Sequence, residues 1–513
     1  MKESNMQKKI NKSHLMNYYF CKENLWLNLN QNFSSKPESE GDKFRASQGD
    51  KFELAARSLF PKGVLVEGSD INIKQEQTMR FLENETDIVF QATIESKDFI
   101  SISDVLVRNE INGSWDLYEI KSTTNIKEDN SLHKSSSNHI KDISFQINVL
   151  EMSGIKISSC YIIHPNKEEL FSINGRNNKN FFNVVNVTEK VALEKNIVMK
   201  DMFEMKEFIN GDISQGCNCI YKGRNNHCDT FNISNPDIPD YSIHDLKSVG
   251  QSKATLSELA SGEIFEISSL PKDHKILTKS RRGQFESYIQ KKPIFNITEI
   301  KTELSKIKWP IQFLDFESYQ SVIPIIDSYY SWEKIPFQWS LHTLTKGGEL
   351  RSVDFLANSI SKDPLIDLSE TLLKKINTQG SIVVWHESFE KGILNMISNR
   401  MPKFESKIKE LLNNIFDLEK IFKANMYCDY RTKGSSSLKR INSILLKDYT
   451  YDQLEINNGE NAFIEWEKMV SPSISKKEKE TIRKNLIEYC KQDTLATYKI
   501  LMYLNELIKK ESK

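Results

Sequence analysis

The sequence predicts an α/β protein built from more than one domain, and three observations carry that expectation. Strand-like and helix-like patterns alternate over residues 49–170, they alternate again over 310–505, and a lysine- and arginine-rich joint at 271–310 separates the two stretches. Alternation of this kind builds sheets covered by helices rather than all-β sandwiches or helical bundles. At 513 residues the chain has room for about three domains of ordinary size.

Each element follows from its local pattern. SHLMNYYFCKENLWLN has the period of one amphipathic helix, and GDKFELAARSLF is helical too. TDIVFQATI, ISDVLVR and WDLYEIK read as strands, HIKDISFQINVLEMSG as a helix and SSCYIIH as a strand. A cysteine-rich run, GCNCIYKGRNNHC, closes this half, and LSELASGEIFEISSL reads as short paired helices. WPIQFLDFE and IVVWHESFEKGIL open on strands in the second half, and NLIEYCKQDTLATYKIL is helical in period.

Composition narrows the function classes. Lysine plus arginine and aspartate plus glutamate number 70 each, which excludes a uniformly basic coat protein and an acidic mimic while leaving local patches open. With 27 Phe, 17 Tyr and 7 Trp the chain can fill real cores despite 38% hydrophobic residues. No apolar run reaches the about 20 residues that span a bilayer, and MKESNMQKKINKSHL lacks a signal-peptide core, so a cytoplasmic protein without membrane partners is expected. In that compartment seven cysteines point to metal, cofactor or burial rather than a disulfide framework.

The first chemical constellation lies in ISDVLVRNEINGSWDLYEIKS, where two alternating runs flank Asn112-Gly113. If those two residues form the turn, paired positions sum to 225, Asp104 faces Lys121, and Asp104, Glu119 and Lys121 share one face. Two carboxylates beside a lysine suit a divalent-metal phosphodiesterase: the acids hold Mg²⁺ or Mn²⁺, and the lysine steadies water or developing charge. The pattern is short and common, and an ion-paired strand face would produce it too. In this context the residues resemble the PD-(D/E)XK nuclease pattern of the RecB-like and CRISPR-associated exonuclease branch. The resemblance implies that Asp104 and Glu119 bind metal, that Lys121 is catalytic and that Gln146, on the following helix, orients it. Leu150 stands where that branch usually has a tyrosine, and Glu53 matches an additional helix carboxylate only poorly.

Cys21 precedes this pattern, and Cys217, Cys219 and Cys228 follow it. One distant cysteine and a late triple resemble the iron–sulfur clip of the same branch, which implies a [4Fe–4S] cluster pinning the N-terminal helix to the domain's end. Zinc, with His227 as a further ligand, is the alternative, and the C-x-C spacing departs from the usual two-residue spacer. Cys160, Cys428 and Cys490 have no partner spacing and are read as structural.

The third constellation is acidic. FLDFESY sets Asp315 and Glu317 on one face of a strand, IVVWHESFEKGIL brings Glu387 and Glu390 after a second strand, and Tyr489 and Asp493 are stacked one helical turn apart. In this order they resemble a DnaQ-like DEDD exonuclease of the tyrosine subtype, with YCKQDT close to its third motif. That likeness implies a ribonuclease-H-like fold in which Asp315, Glu317, Glu390 and Asp493 hold two divalent ions and Tyr489 positions water. Glu390 stands where an aspartate is expected, and Asp417 is read as a helix anchor.

The domain organisation expected is thus a restriction-endonuclease-like PD-(D/E)XK domain at 10–235, a helical basic connecting segment at 236–304 and an exonuclease domain at 305–510. CIYKGRNNHCDTF, YSIHDL, LDFESY and GSSSLKRI resemble an uncharacterised bacterial family with this arrangement. The joint at 271–310 has ten lysines and arginines against four acids, an excess of six, so Lys279, Arg281, Arg282, Lys291 and Lys292 are expected to line a phosphate path. The expected activity is a DNA exonuclease or end-processing nuclease in repair, recombination or defence. The alternatives are a scaffold on inactive nuclease folds and, more weakly, a ribonuclease. The chain lacks a GxxxxGK[ST] loop, so any helicase would be a separate partner.

Overall fold

The N-terminal amphipathic run resolves into two helices rather than one. α1 (Lys12–Phe20) and α2 (Lys22–Asn30) meet at Cys21, which is extended at φ −161° and ψ 107° and caps both. α1 begins on a capping box between Asn11 and His14. The computed structural model describes residues 9–31, 38–84, 86–128, 138–173, 178–211, 216–447, 449, 451 and 453–511. The chain divides into two units, Met1–Asp237 with Ser321–Trp332, and Ile238–Gln320 with Glu333–Lys513.

The first unit continues with α3 (Glu40–Ala56), β1 (Val64–Leu65), α4 (Ile71–Glu83), β2 (Ile88–Ser96), β3 (Phe99–Arg108) and β4 (Trp115–Ile120). α5 (His139–Met152), β5 (Ile157–Pro165), β6 (Phe182–Asn186), α6 (Thr188–Asn210) and α7 (Phe231–Ser234) complete it. Its six strands lie side by side in chain order. β2, β3 and β4 form an antiparallel meander, whereas β4 and β5 are parallel, so the chain must cross over between them, and α5 does this. Asn138 starts α5 by accepting the N–H groups of Ile140 and Lys141. α5 then buries Ile143, Phe145, Ile147 and Leu150 against Val89, Ile94, Leu106 and Leu117 of the sheet.

The β3–β4 register differs from the expected one. Val105 pairs with Tyr118 and Leu106 with Leu117, so partners sum to 223, not 225. The cause is a longer turn: Asn109 and Ser114 close it, with Gly113 at φ +68° donating its N–H to Asn109 O at 2.9 Å. Because the slip is two residues, no side chain changes face. Asp104 comes to lie across from Glu119 rather than Lys121.

The second unit holds α8 (Lys253–Ser261), α9 (Lys279–Gln290), β7 (Ile294–Phe295), α10 (Ile297–Leu304), β8 (Ile311–Tyr319), β9 (Ile335–Leu344) and β10 (Leu350–Leu356). It continues through α11 (Pro364–Lys375), β11 (Ser381–Val384), α12 (Glu387–Arg400), α13 (Glu405–Asn413), β12 (Ile415–Asp417), α14 (Glu419–Lys423) and β13 (Tyr427–Cys428). α15 (Leu438–Leu445), α16 (Gly459–Val470) and α17 (Lys476–Glu511) end it. The main sheet runs β10-β9-β8-β11-β12, antiparallel on one side of β8 and parallel on the other. β8 is thus the point where the chain's direction of winding reverses, and such switch points open a crevice at the carboxyl ends of the parallel strands. α17 is tied to β9, Gln338 donating to Leu486 O at 2.8 Å and His342 Nδ1 lying 2.9 Å from Thr494 Oγ1. Residues 238–304 belong to this unit and have their own small core of Ile243, Leu246, Leu256, Leu259, Ile267 and Phe285. Among the described residues no helix is long and apolar enough to cross a membrane.

Candidate active sites and a candidate metal centre

In the first unit, β3, β4 and α5 bring the expected residues together. Lys121 Nζ lies 2.6 Å from Glu119 Oε1, and Gln146 Nε2 donates to Glu119 Oε2 at 2.6 Å. Asp104 Oδ2 accepts the Ile120 N–H at 2.7 Å, fixing this carboxylate at the end of β4. Burial first, and the Glu119 charge second, push the Asp104 carboxyl up to about 7. For Glu119 burial also raises, but Lys12 and Lys121 outweigh it and hold the carboxyl below the usual range. Leu150, where a tyrosine was looked for, is fully buried in the core.

Four participants escaped the sequence reading or were discounted by it. Asp142 accepts from Lys121 at 2.6 Å and from Gln146 at 3.1 Å. It sits one turn before Gln146, so a D-x-x-x-Q spacing on a helix was the available signal. Lys12, from the far end of α1, donates to Glu119 Oε1 at 2.6 Å and lies 3.5 Å from Asp142 Oδ1. No spacing in the sequence links it to the acids. Gln91, at φ +54°, donates to both Glu53 (2.6 Å) and Asp104 (3.3 Å), so the discounted Glu53 reaches the cluster through it.

In the second unit, ligand oxygens of Asp315, Glu317 and Asp493 all lie within 4.8 Å of one another. The first two stand on β8, and Asp493 stands on α17. Burial, reinforced by mutual repulsion, raises the carboxyls of Asp315 and Glu317 well above the carboxylate range, and burial raises Asp493 as well. Tyr451, a residue the sequence did not flag, donates to Asp493 Oδ1 at 2.5 Å. Lys439 of GSSSLKRI donates to Tyr489 OH at 3.1 Å and lies over the rings of Tyr451 and Tyr489. Glu390 is 2% exposed and stands in the first turn of α12, outside the group of three, with Oε2 unpaired among the described residues. Its carboxyl is raised by burial and then by Asp315. Asp417 accepts the N–H groups of His386 and Glu419, both at 3.1 Å, and so anchors α14. Cys490, read as merely structural, packs its Sγ 3.5 Å from Asp315 Oδ2.

The four cysteines at the ends of the first unit meet. Cys21, Cys217, Cys219 and Cys228 are all buried, their Sγ atoms lie within 4.8 Å of one another, and two pairs stand at 3.5 and 3.6 Å. His227 is not among them: its Nε2 lies 3.0 Å from Lys222 O, and its ring stacks on Phe231. Lys222 caps the group, reaching Phe20 O at 3.0 Å and Cys219 Sγ at 3.8 Å.

The basic joint is corrected at one position. Arg281 is 4% exposed and spends its guanidinium on the carbonyls of Lys247, Ile276 and Ser248. It ties α9 to residues 247–252 and 276 from inside the 241–288 module. Lys279, Arg282, Lys291 and Lys292 are exposed, although Lys291 covers the Tyr288 ring at 3.4 Å and Arg282 donates to Lys272 O at 2.9 Å.

Fold and sites together define an α/β chain of two units, each carrying a buried acidic cluster, the first with a cysteine quartet as well. A family model described as a domain of unknown function, DUF2779, matches residues 312–437, the stretch from β8 to just before α15. Uncharacterized protein MG366 of Mycoplasma genitalium is 25% identical over 229 residues, covering 41% of this chain and 34% of that protein. Its homolog in Mycoplasma pneumoniae is 24% identical over 237 residues, covering 42% of this chain and 35% of that protein. The matches thus span about a third of these relatives' own length.

Proposed function

We propose that the chain is a metal-dependent nuclease that hydrolyses phosphodiester bonds, with DNA favoured over RNA. The observation that carries this reading is the convergence of Asp315, Glu317 and Asp493 within 4.8 Å at a sheet's switch point, with Tyr489 alongside. Three carboxylates this close repel one another when ionised, so a cation among them is favoured, and an all-oxygen donor set fits Mg²⁺ or Mn²⁺. Bound there, divalent ions would polarise the phosphate and make water nucleophilic near neutral pH. The chain's own part is to hold the acids rigid and to set the Tyr489 hydroxyl, through Lys439, at the edge of the cluster. The first unit offers a second set, Asp104 and Glu119 with Lys121 and Gln146, in keeping with the RecB-like resemblance. The second unit's acids keep the exonuclease resemblance, with Glu390 as an outer acid.

The thiol quartet supports a different metal from the one that resemblance implies. A single ion bound at about 2.3 Å by four thiolates sets neighbouring sulfurs about 3.8 Å apart. A four-iron cluster gives each thiolate its own iron and spreads the sulfurs further. Contacts of 3.5 and 3.6 Å favour the single ion, zinc first, bound by four cysteines without His227. Reduced thiols suit the cytoplasm, which is part of the proposal.

The test incubates the protein with end-labelled single- and double-stranded DNA and RNA in Mg²⁺ or Mn²⁺, comparing wild type with Lys121→Ala and Asp315→Ala. Loss in one variant alone assigns cleavage to its unit. A binding arm should show weaker, less salt-dependent affinity when Lys279, Arg282, Lys291 and Lys292 are reversed in charge. Absence of cleavage by wild type under all conditions sinks the reading. A scaffold on inactive folds is the second reading, favoured by Glu390 standing outside the group of three.

A further inference from the structure

Glu119 has three of its four acceptor directions filled. Its Oε1 receives two ammonium groups, Lys12 and Lys121, each at 2.6 Å, and its Oε2 receives the Gln146 amide at 2.6 Å. A carboxylate oxygen offers two lone-pair directions, so Oε1 has none left for a metal ion. A dication approaching a carboxylate already neutralised by two cations gains little attraction, and to reach Oε1 it must displace one of them. Lys121 is locked: it follows β4 directly, its N–H bonds Ile163 O at 2.9 Å, and its Nζ is shared with Asp142 at 2.6 Å. Lys12 is not. It comes from a separate helix, its contact with Asp142 is 3.5 Å, and its side chain is 30% exposed against 19% for Lys121.

We propose that Lys12 is a tethered cation that holds the metal's place at Glu119 and is exchanged for a divalent ion when one binds. The proposal rests on the nuclease reading of Asp104 and Glu119. It gives α1 a function beyond packing. Lys12 stands at the first position of α1, and Cys21, in the thiol quartet, follows its last. A nine-residue helix spans about 13 Å, so the quartet fixes one end of the strut whose other end carries the lysine. With the strut fixed, exchange needs only the four-carbon stem of Lys12 to swing, not the departure of α1. The swing takes the ammonium toward solvent, where a phosphate would meet it. Lys12 is accordingly a positioning residue for the metal.

Mn²⁺ binding without nucleic acid, followed by electron paramagnetic resonance, tests this. Asp315→Asn/Asp493→Asn serves as background so that the second unit's acids stay silent. Lys12→Met should bind Mn²⁺ at least about tenfold more tightly than this background protein, because a competing charge has been removed. Adding Asp104→Asn should abolish that Mn²⁺ site. If Asp104→Asn leaves the bound Mn²⁺ unchanged, the metal-site reading falls and takes the proposal with it. If Asp104→Asn removes the ion but Lys12→Met binds it no more tightly, only the lysine exchange falls. A second measurement avoids substitution. Amine acetylation of the wild-type protein, read by peptide mass spectrometry, should label Lys12 slowly without divalent ions and several-fold faster with saturating Mg²⁺. Equal labelling overturns the proposal.

Discussion

At the scale of single residues, the second acidic cluster costs stability when no cation fills it. The Asp315 carboxyl is raised first by burial and then by Asp493. A raised carboxyl favours the folded state fully only below its unfolded value near 4, and that contribution is lost as pH rises toward the folded value. At pH 7.5 without divalent ions, Asp315→Asn should therefore melt higher than wild type. A gain of about 1 kcal/mol corresponds to about 2–4 °C for a domain of this size. The advantage should vanish near pH 4, where the wild-type acids are protonated, and should reverse in saturating Mg²⁺, which only the wild type binds well. Thermal melts at the two pH values decide it; an unchanged or lower melting point at pH 7.5 refutes the account.

At the scale of elements, the joint between β9 and α17 delivers Asp493 to β8, and its pH response can be worked out. Burial, aided by Lys491, lowers the His342 imidazole to about 4, and the ring lies against Thr494. The unfolded chain takes up this proton near pH 6.5 while the folded one refuses it. Stability is thus full above pH 6.5 and is lost as pH falls toward 4, by about 3 kcal/mol at most. His342→Gln should flatten that slope in melts between pH 4 and 6.5; an identical slope would show that the ring does not hold the joint.

The elements also divide what the sequence made legible from what it did not. β3, β4, α5, β8 and α17 all follow local periodicity. Asp104 with Glu119, Asp315 with Glu317, and Asp493 with Tyr489 were found because strand and helix spacing puts each set on one face, whereas Gln146 came from the family resemblance alone. The β3–β4 register slipped by two because Asn112-Gly113 is the end of a longer turn, a choice that side-chain alternation cannot make. The break at Cys21 was hidden because the apolar period runs across it. Lys12, Gln91, Lys439 and Tyr451 had no spacing signal, since each reaches its cluster from a remote segment. Arg281 was misread because charge runs do not reveal which guanidinium turns inward to buried carbonyls.

At the scale of the whole molecule, the two units have separate cores and separate candidate cation sites, so on the proposed function their unfolding should respond to different ions. The first unit buries Val89, Leu106, Leu117 and Phe145 around its sheet; the second buries Phe313, Leu314, Val383 and Leu504 around its own. With two cores, one all-or-none transition is not required. In the first unit the thiol quartet joins Cys21 to Cys217 and its neighbours, closing a loop of nearly the whole unit. On the proposed function, an ion there would bind the folded form more tightly than the unfolded one and add the difference to that unit's stability. In the second unit the proposed ligands are instead the three clustered acids, with a divalent ion. Scanning calorimetry should therefore resolve two transitions. A thiophilic chelator should lower one and leave the other in place, whereas Mg²⁺ should raise the second by relieving repulsion among Asp315, Glu317 and Asp493. Cys21→Ser should mimic the chelator, and Asp315→Asn should blunt the Mg²⁺ effect without touching the first transition. Both transitions moving together under either ion would mean that the units are coupled in energy, and that neither metal site acts within its own unit alone.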